Sequence, residues 1–133
     1  MDPTVSESIR LSVPATSAAV RITRAGAAGL ATRAGFTYRE VEQLRLAVGE
    51  AAALLAPEPE GEGTLAVVYD VVPDGLRIEL VLVPGSAGGV AAVPEVAAAV
   101  LDNSVDDWSL ADGGRRLVLV KRLSDTDDDG DDD

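Results

Sequence analysis

Apolar and polar side chains alternate near the start of the chain, where Ile9, Leu11 and Val13 are separated by polar residues. A repeat of two residues is typical of a strand that buries one of its faces. Runs of the same kind flank two turn signals, one at 73–75 and one at 112–114, which is the pattern of two hairpins. The predicted strands are 9–13, 65–72, 76–83, 105–110 and 115–123.

Three other stretches repeat apolar residues every three or four positions, which predicts helices. The first helix is expected to begin after Thr16 or Ser17, whose hydroxyl would cap it, and to end at Gly35. The third is expected to begin at Pro94. The predicted inner positions of these two helices are Val20, Ala27, Leu30, Ala31, Ala34, Val96, Ala97, Val100 and Leu101.

The second helix has the clearest start signal in the chain. Thr37 and Glu40 have the spacing of a capping box, and Phe36 is expected to pack on Val41 just inside the helix. Pro57 ends the helix, and a loop follows over 57–63. Two apolar sets, one of Val41, Leu44, Val48, Ala51 and Leu55 and one of Leu46, Ala47, Ala53 and Leu54, predict a helix that is covered on two sides.

The order strand, helix, helix, hairpin, helix, hairpin predicts the class α+β. We expect a two-layer sandwich with a mixed or antiparallel sheet of about five strands and about three helices on one face. Gly26 and Gly29 permit close helix packing, either within the chain or between the copies of a homodimer. The expected organisation is a polar lead over 1–8, a single domain over 9–123 and an acidic tail over 124–133.

The composition excludes several classes of chemistry. The 133 residues include no cysteine and no histidine, which excludes disulfides, thiolate metal sites and the commonest general base at neutral pH. Apolar runs all fall short of the roughly 18 to 20 residues of a membrane span, and the start of the chain lacks the pattern of a signal peptide. We therefore expect a cytoplasmic protein without a membrane segment.

Negative charge is concentrated at the end of the chain. The formal net charge is −12, and the last ten residues hold seven aspartates, which leaves −5 on residues 1–123. A nucleic-acid ligand is not expected, because phosphate backbones need clustered Lys and Arg. The tail resembles the first half of a calcium loop, but no distal glutamate follows and no metal site is assigned. Such segments are generally solvated and disordered, and this one could aid solubility or attract a basic partner.

The segment LRLAVGEA, Leu44 to Ala51, and the order of the elements resemble the anti-sigma regulatory serine-protein kinases. These belong to the Bergerat-fold superfamily of histidine-kinase-like ATPases. The resemblance spans roughly residues 9–123 and includes the hairpin strand DGLRIELVLV and the closing strand LVLVKRL. It implies a Bergerat-like domain and a partner-switching regulator that binds a sigma factor or an anti-sigma antagonist.

The family's nucleotide motifs are only partly present. Its helix motif E-A-x-x-N-A has a glutamate implicated in activating the attacking hydroxyl and an asparagine that binds magnesium. Glu50 and Ala51 match, whereas Leu54 stands at the asparagine position and offers no oxygen to magnesium. The family's D-x-G-x-G motif, whose Asp binds adenine, corresponds to 83–89, which contains no carboxylate. The glycines there are Gly85, Gly88 and Gly89.

These departures imply a decayed nucleotide site, with neither ATP nor magnesium expected as a cofactor. The expected function is protein binding by an anti-sigma-like domain, and whether the chain is an enzyme stays open. The alternative is a residual ATP-dependent serine/threonine kinase with Glu50 as its catalytic base and 85–89 as a relaxed phosphate loop. With no asparagine at position 54, the interpretation of Glu50 as a polar residue on the solvent side of its helix is favoured over the catalytic one. A third hypothesis is a small domain whose partner lies outside sigma regulation.

Overall fold

The computed structural model describes residues 7–83 and 89–124, which contain five strands and three α-helices. Short 3₁₀ turns over Ser17–Ala19 and Asp112–Gly114 precede the first helix and connect the last two strands. In these described ranges, no helix combines the length and the apolar character that crossing a membrane requires. The elements in chain order are β1 Glu7–Pro14, α1 Val20–Ala34, α2 Tyr38–Leu55, β2 Thr64–Val72, β3 Gly75–Val83, α3 Glu95–Ser104, β4 Asp107–Ala111 and β5 Arg116–Arg122.

The strands form one antiparallel sheet in the order β1-β2-β3-β5-β4. Alternate side chains of the central strands are buried, as at Leu65, Val67 and Tyr69 of β2. The helices α1 and α2 contact this sheet, and α3 contacts α2 and β4. The predicted two-layer α+β sandwich is thus confirmed, and its sheet is antiparallel throughout rather than mixed.

Of the three helix starts that the sequence predicted, those of α2 and α1 have opposite outcomes. At α2 the capping box is present, because the Glu40 N–H donates to the Thr37 hydroxyl at 3.2 Å and the Thr37 N–H donates to the Glu40 carboxylate at 2.8 Å. At α1 the prediction is wrong. No side chain caps the helix, and a 3₁₀ turn from Ser17 comes first, so α1 begins only at Val20.

The predicted second buried side of α2 is also wrong in part. Ala47 is buried, but Leu46 is 54% exposed, Ala53 is exposed and Leu54 is half-buried. The helices α1 and α3 both contact α2. The outer surface of α2 nevertheless remains open to solvent.

Gly26 and Gly29 have different surroundings in α1. The Tyr69 hydroxyl donates to the Thr23 carbonyl oxygen at 2.9 Å. A Cβ on Gly26 would lie 2.8 Å from that hydroxyl, whereas a Cβ on Gly29 would meet nothing within 4 Å in the part of the chain that is described. The close packing at Gly26 is therefore intramolecular. Burial raises the pKa of Tyr69 to about 12, so its hydroxyl stays protonated and remains a donor even in alkaline solution up to that pH.

The single lysine of the chain lies on the buried face of β5 and connects three elements. Lys121 Nζ donates to the Ser104 carbonyl oxygen at 2.8 Å and to Gln43 Oε1 at 3.0 Å. Burial lowers the pKa of Lys121, and the nearby charges of Asp106 and Glu40 oppose that shift.

Candidate functional site

A cavity of about 430 Å³ lies at the C-terminal end of α2. Its wall comes from four parts of the fold: the end of α2, the loop after it, the connection from β1 to α1, and the end of β3 with Gly89. The apolar part of the wall is made by Ala15, Leu54, Leu55, Ala56 and Leu82, and the acidic part by Glu58, Glu60 and Glu62. The cavity is thus apolar at its base and carboxylate-rich on one side.

The backbone holds the acidic loop in place against the connection from β1 to α1. The Ser17 N–H donates to the Glu58 carbonyl oxygen at 2.9 Å, and the Ala15 N–H donates to the Gly63 carbonyl oxygen at 3.0 Å. Between these bonds Gly61 approaches Ala15 so closely that a Cβ would overlap its carbonyl oxygen. Only glycine permits this approach, so the contact and the two hydrogen bonds together hold the loop at this position.

The structure brings together two of the residues that the sequence predicted for this site. Leu54 and Gly89 both lie on the cavity wall. Gly89 has φ +94°, a conformation that favours glycine. Gly85 and Gly88 lie outside the described residues, as do residues 125–133 of the predicted acidic tail over 124–133.

Glu50 lies one helical turn before Leu54 and does not line the cavity. It is half-buried and forms no hydrogen bond or ion pair with the residues that the structure describes. Its side chain is therefore accessible on α2 but lies outside the cavity wall. The proposed catalytic role of Glu50 stays a prediction.

The charges around the cavity favour cations over anions. Its described lining carries three carboxylates and no lysine or arginine. The carbonyl end of α2 adds the negative pole of a helix dipole, and the last turn of α2 has no basic residue. Arg115 lies beside Gly89, but its guanidinium extends along Gly113 and is not part of the wall. A phosphate group in the cavity would meet repulsion.

The acidic wall was not among the predicted site residues. The sequence predicts a loop over 57–63 but does not show that its carboxylates border a cavity with Ala15 and Leu82. The alternation of glutamate with Pro and Gly in that loop is the signal that could have indicated it. Among the described residues, no group of three or more His, Cys, Asp or Glu side chains is placed to hold a metal ion.

Comparison with known proteins gives related sequences over most of the chain. The serine-protein kinase RsbW of Halalkalibacterium halodurans is 31% identical over 120 residues, which cover 90% of this chain and 73% of that protein. The proteins of the same name in Listeria innocua and Bacillus cereus are each 34% identical, over 80 and 74 residues. These two matches span about half of those relatives, 51% and 46% of their lengths. No protein-family model matches the chain.

The fold is also found in a solved structure. The crystal structure of the RsbU and RsbW domains of Rv1364c from Mycobacterium tuberculosis matches 90% of this chain and 33% of that chain, with a TM-score of 0.68 and 16% identity. At that identity the match supports the fold alone. The sequence match to the Halalkalibacterium protein shows the family as well as the fold, because it reaches 31% identity over 90% of this chain. The chain therefore belongs to the RsbW family of serine-protein kinases.

Proposed function

We propose that the chain is an anti-sigma-type regulator that acts by binding a protein partner, either a sigma factor or an anti-sigma antagonist, and that its nucleotide site has decayed. Membership of the RsbW family supports the regulatory role. The observation that carries the second part is Leu54, an aliphatic side chain on the cavity wall at the position of the family's magnesium-binding asparagine.

The surroundings of Leu54 support a decayed site. Magnesium in nucleotide sites takes oxygen ligands and reaches the protein through a few side chains together with the phosphates. Here the position offers only methyl groups, and the carboxylates of Glu58, Glu60 and Glu62 line the same cavity. A nucleotide would place several phosphate charges close to these carboxylates, and phosphoryl transfer depends on neutralising such charge. Binding of a partner without phosphoryl transfer is consistent with all of these features.

The competing function is a residual ATP-dependent serine/threonine kinase. It is favoured by Glu50, which stands where the family has the glutamate that activates the attacking hydroxyl. Glu50 is half-buried on α2 one turn from the cavity and free of hydrogen bonds within the described part of the chain. A base needs to reach the proton that it abstracts. Nucleotide binding is therefore the property that separates the two functions.

Calorimetric titration with ATP and magnesium tests the decayed site. We expect no measurable binding by the native chain and weak binding by Leu54→Asn, because the amide oxygen restores a magnesium contact. Ala53→Asn is the matched control, since Ala53 is the exposed neighbour on the same helix and does not line the cavity. Saturable binding by the native chain would contradict the decayed site and favour the kinase.

The partner is tested with purified sigma factors and anti-sigma antagonists, each passed separately over the immobilised chain. We expect one of them to be retained without nucleotide, because the proposed binding needs no phosphoryl transfer. Size-exclusion chromatography with light scattering on the same samples distinguishes a monomer from a homodimer. Retention that strictly requires ATP and magnesium would contradict the proposal.

A further inference from the structure

We infer that the cavity at the end of α2 binds the cationic side chain of an arginine or lysine that a protein partner presents. The inference rests on the proposed function, because it names the chemistry by which a bound partner would engage this domain. It is carried by the shape of the cavity, by its charge and by the way in which the backbone holds its wall. Phosphate would be excluded from the same space.

The shape suits a long side chain with an apolar stem. At about 430 Å³ the cavity lies in the lower part of the range of small-molecule pockets. Its base is formed by residues that are themselves buried, with Ala15, Leu55 and Ala56 no more than 3% exposed. The methylene groups of an arginine or lysine can lie along such a surface while the charged end stays near polar groups.

The charge suits a cation rather than an anion. Glu58, Glu60 and Glu62 are exposed, and their carboxylates form no hydrogen bond or ion pair with any residue in 7–83 or 89–124. By contrast, Glu7 and Glu42 are already paired with arginines. The carbonyl end of α2 increases the negative potential at the cavity. A partner's cation would thus find three unpaired carboxylates at the rim of an apolar base.

The backbone holds the wall of the cavity in place. Two backbone hydrogen bonds and the contact of Gly61 with Ala15 hold the acidic loop across the connection from β1 to α1. A ligand that enters a preformed cavity does not have to order the loop, which favours its binding. The cavity itself, with the buried apolar residues Ala15, Leu55 and Ala56 in its lining, separates this site from a simple cluster of exposed glutamates.

Arg115 is the positive charge that opposes this assignment. Its Cγ would lie 3.2 Å from a Cβ on Gly89, and Nη1 of its guanidinium would lie 3.3 Å from a Cβ on Gly113. It is therefore close to one end of the cavity without lining it. We expect Arg115→Gln to increase the affinity for a cation, because one nearby repulsive charge is removed.

The first test uses n-butylguanidinium, which reproduces an arginine side chain, and follows the backbone amides of the native chain by ¹H–¹⁵N NMR. We expect saturable shifts at Leu55, Ala56, Gly61 and Gly89, and at least about tenfold weaker binding of the neutral isostere n-butylurea. Raising the salt from about 20 mM to about 300 mM should weaken the guanidinium complex. Equal affinity for the two probes would overturn the inference.

The second test removes the negative charges of Glu58, Glu60 and Glu62, which form the rim of the cavity. We expect the triple variant Glu58→Gln, Glu60→Gln, Glu62→Gln to bind n-butylguanidinium at least about tenfold more weakly. The control Glu42→Gln, Asp74→Asn, Glu95→Gln removes the same number of charges from positions outside the cavity wall and should change the affinity by less than about twofold. An unchanged affinity in the rim variant, or no gain in Arg115→Gln, would overturn the inference.

The same variants separate this inference from the proposed function. If a sigma factor or antagonist is retained equally well by the native chain and the rim variant, the cavity is not the site of contact and the proposed function stands. If no such partner is retained but n-butylguanidinium binds as described, the cavity is a cation site and the sigma-related function fails. Saturable shifts of the same amides with ATP and magnesium would contradict both the decayed site and the exclusion of phosphate from the cavity.

Discussion

Tyr69 is almost completely buried beneath α1, and its hydroxyl donates to a helix carbonyl at Thr23. The helix can approach the ring because residue 26 has no side chain. A hydroxyl that is buried without a partner would be costly, so the hydrogen bond and the missing Cβ act together. The second glycine of this helix, Gly29, has open space around it.

We predict that Gly26→Ala and Gly29→Ala change stability in opposite directions. Gly26→Ala forces a shift of Tyr69 and should lower the free energy of unfolding by about 1–3 kcal/mol. Gly29→Ala adds a methyl group in open space and should raise it by about 0.5–1 kcal/mol, because alanine loses less backbone entropy in a helix. Urea denaturation of both variants measures the difference.

The background Tyr69→Phe is the control for this prediction. It removes the atom closest to the new methyl group, so the loss caused by Gly26→Ala should be smaller in that background. Equal stability of the two alanine variants would show that the Gly26 contact does not limit the packing of α1.

At the scale of the elements, the stability of α2 depends on the capping box that Thr37 and Glu40 form at its first turn. Burial by itself would raise the pKa of Glu40, but hydrogen bonds from Thr37 and Ser124 and the charge of Lys121 outweigh burial and hold the pKa below its ordinary value. The carboxylate is therefore charged when it accepts the Thr37 N–H at 2.8 Å. A negative charge in the first turn is also favoured by the helix dipole.

We predict that Thr37→Ala lowers the free energy of unfolding by about 0.5–2 kcal/mol, since the Glu40 N–H loses its partner. Thr32→Ala is the matched control. Among the residues that the structure describes, its hydroxyl bonds to the Ala28 carbonyl oxygen of the same helix, at an exposed position, and alanine is the better helix former. Thermal unfolding of the two variants under one buffer compares them. A loss of equal size in Thr32→Ala would mean that the cap makes no special contribution.

Across the whole molecule, Lys121 connects the sheet to two helices. It reaches Gln43 of α2 and the carbonyl of Ser104, the last residue of α3, from the buried face of β5 near the end of that strand. Since its ammonium is hydrogen-bonded and only 8% of the residue is exposed, a reagent can reach it only when the layers separate. The residue therefore reports on the packing of the complete sandwich.

We predict that Lys121 is acylated by an amine-specific reagent at least about tenfold more slowly in the native chain than in guanidinium chloride. The α-amino group of the same chain serves as the internal control, and peptide mass mapping measures both sites. Because the sequence contains only one lysine, the assignment of the label is unambiguous. Equal rates in the folded and unfolded chain would contradict the burial of this side chain.

The sequence by itself determined the features that depend on local patterns. The alternation over 9–13 and the turn signals at 73–75 and 112–114 predicted the strands, because a strand's period and a turn's backbone angles are properties of neighbouring residues. The capping box at Thr37 predicted the start of α2 for the same reason. The order of these elements sufficed for the α+β class, and together with the LRLAVGEA segment it indicated the family.

Only the tertiary structure decided which distant residues meet. Periodicity places a residue on a face of its element but does not say what that face contacts, so Leu46 appeared buried and is exposed. Gly26 with Tyr69 and Lys121 with Gln43 are separated by more than forty positions. The cavity wall likewise joins Ala15 and Gly89, because the turns and helix packing that bring them together act over the whole chain.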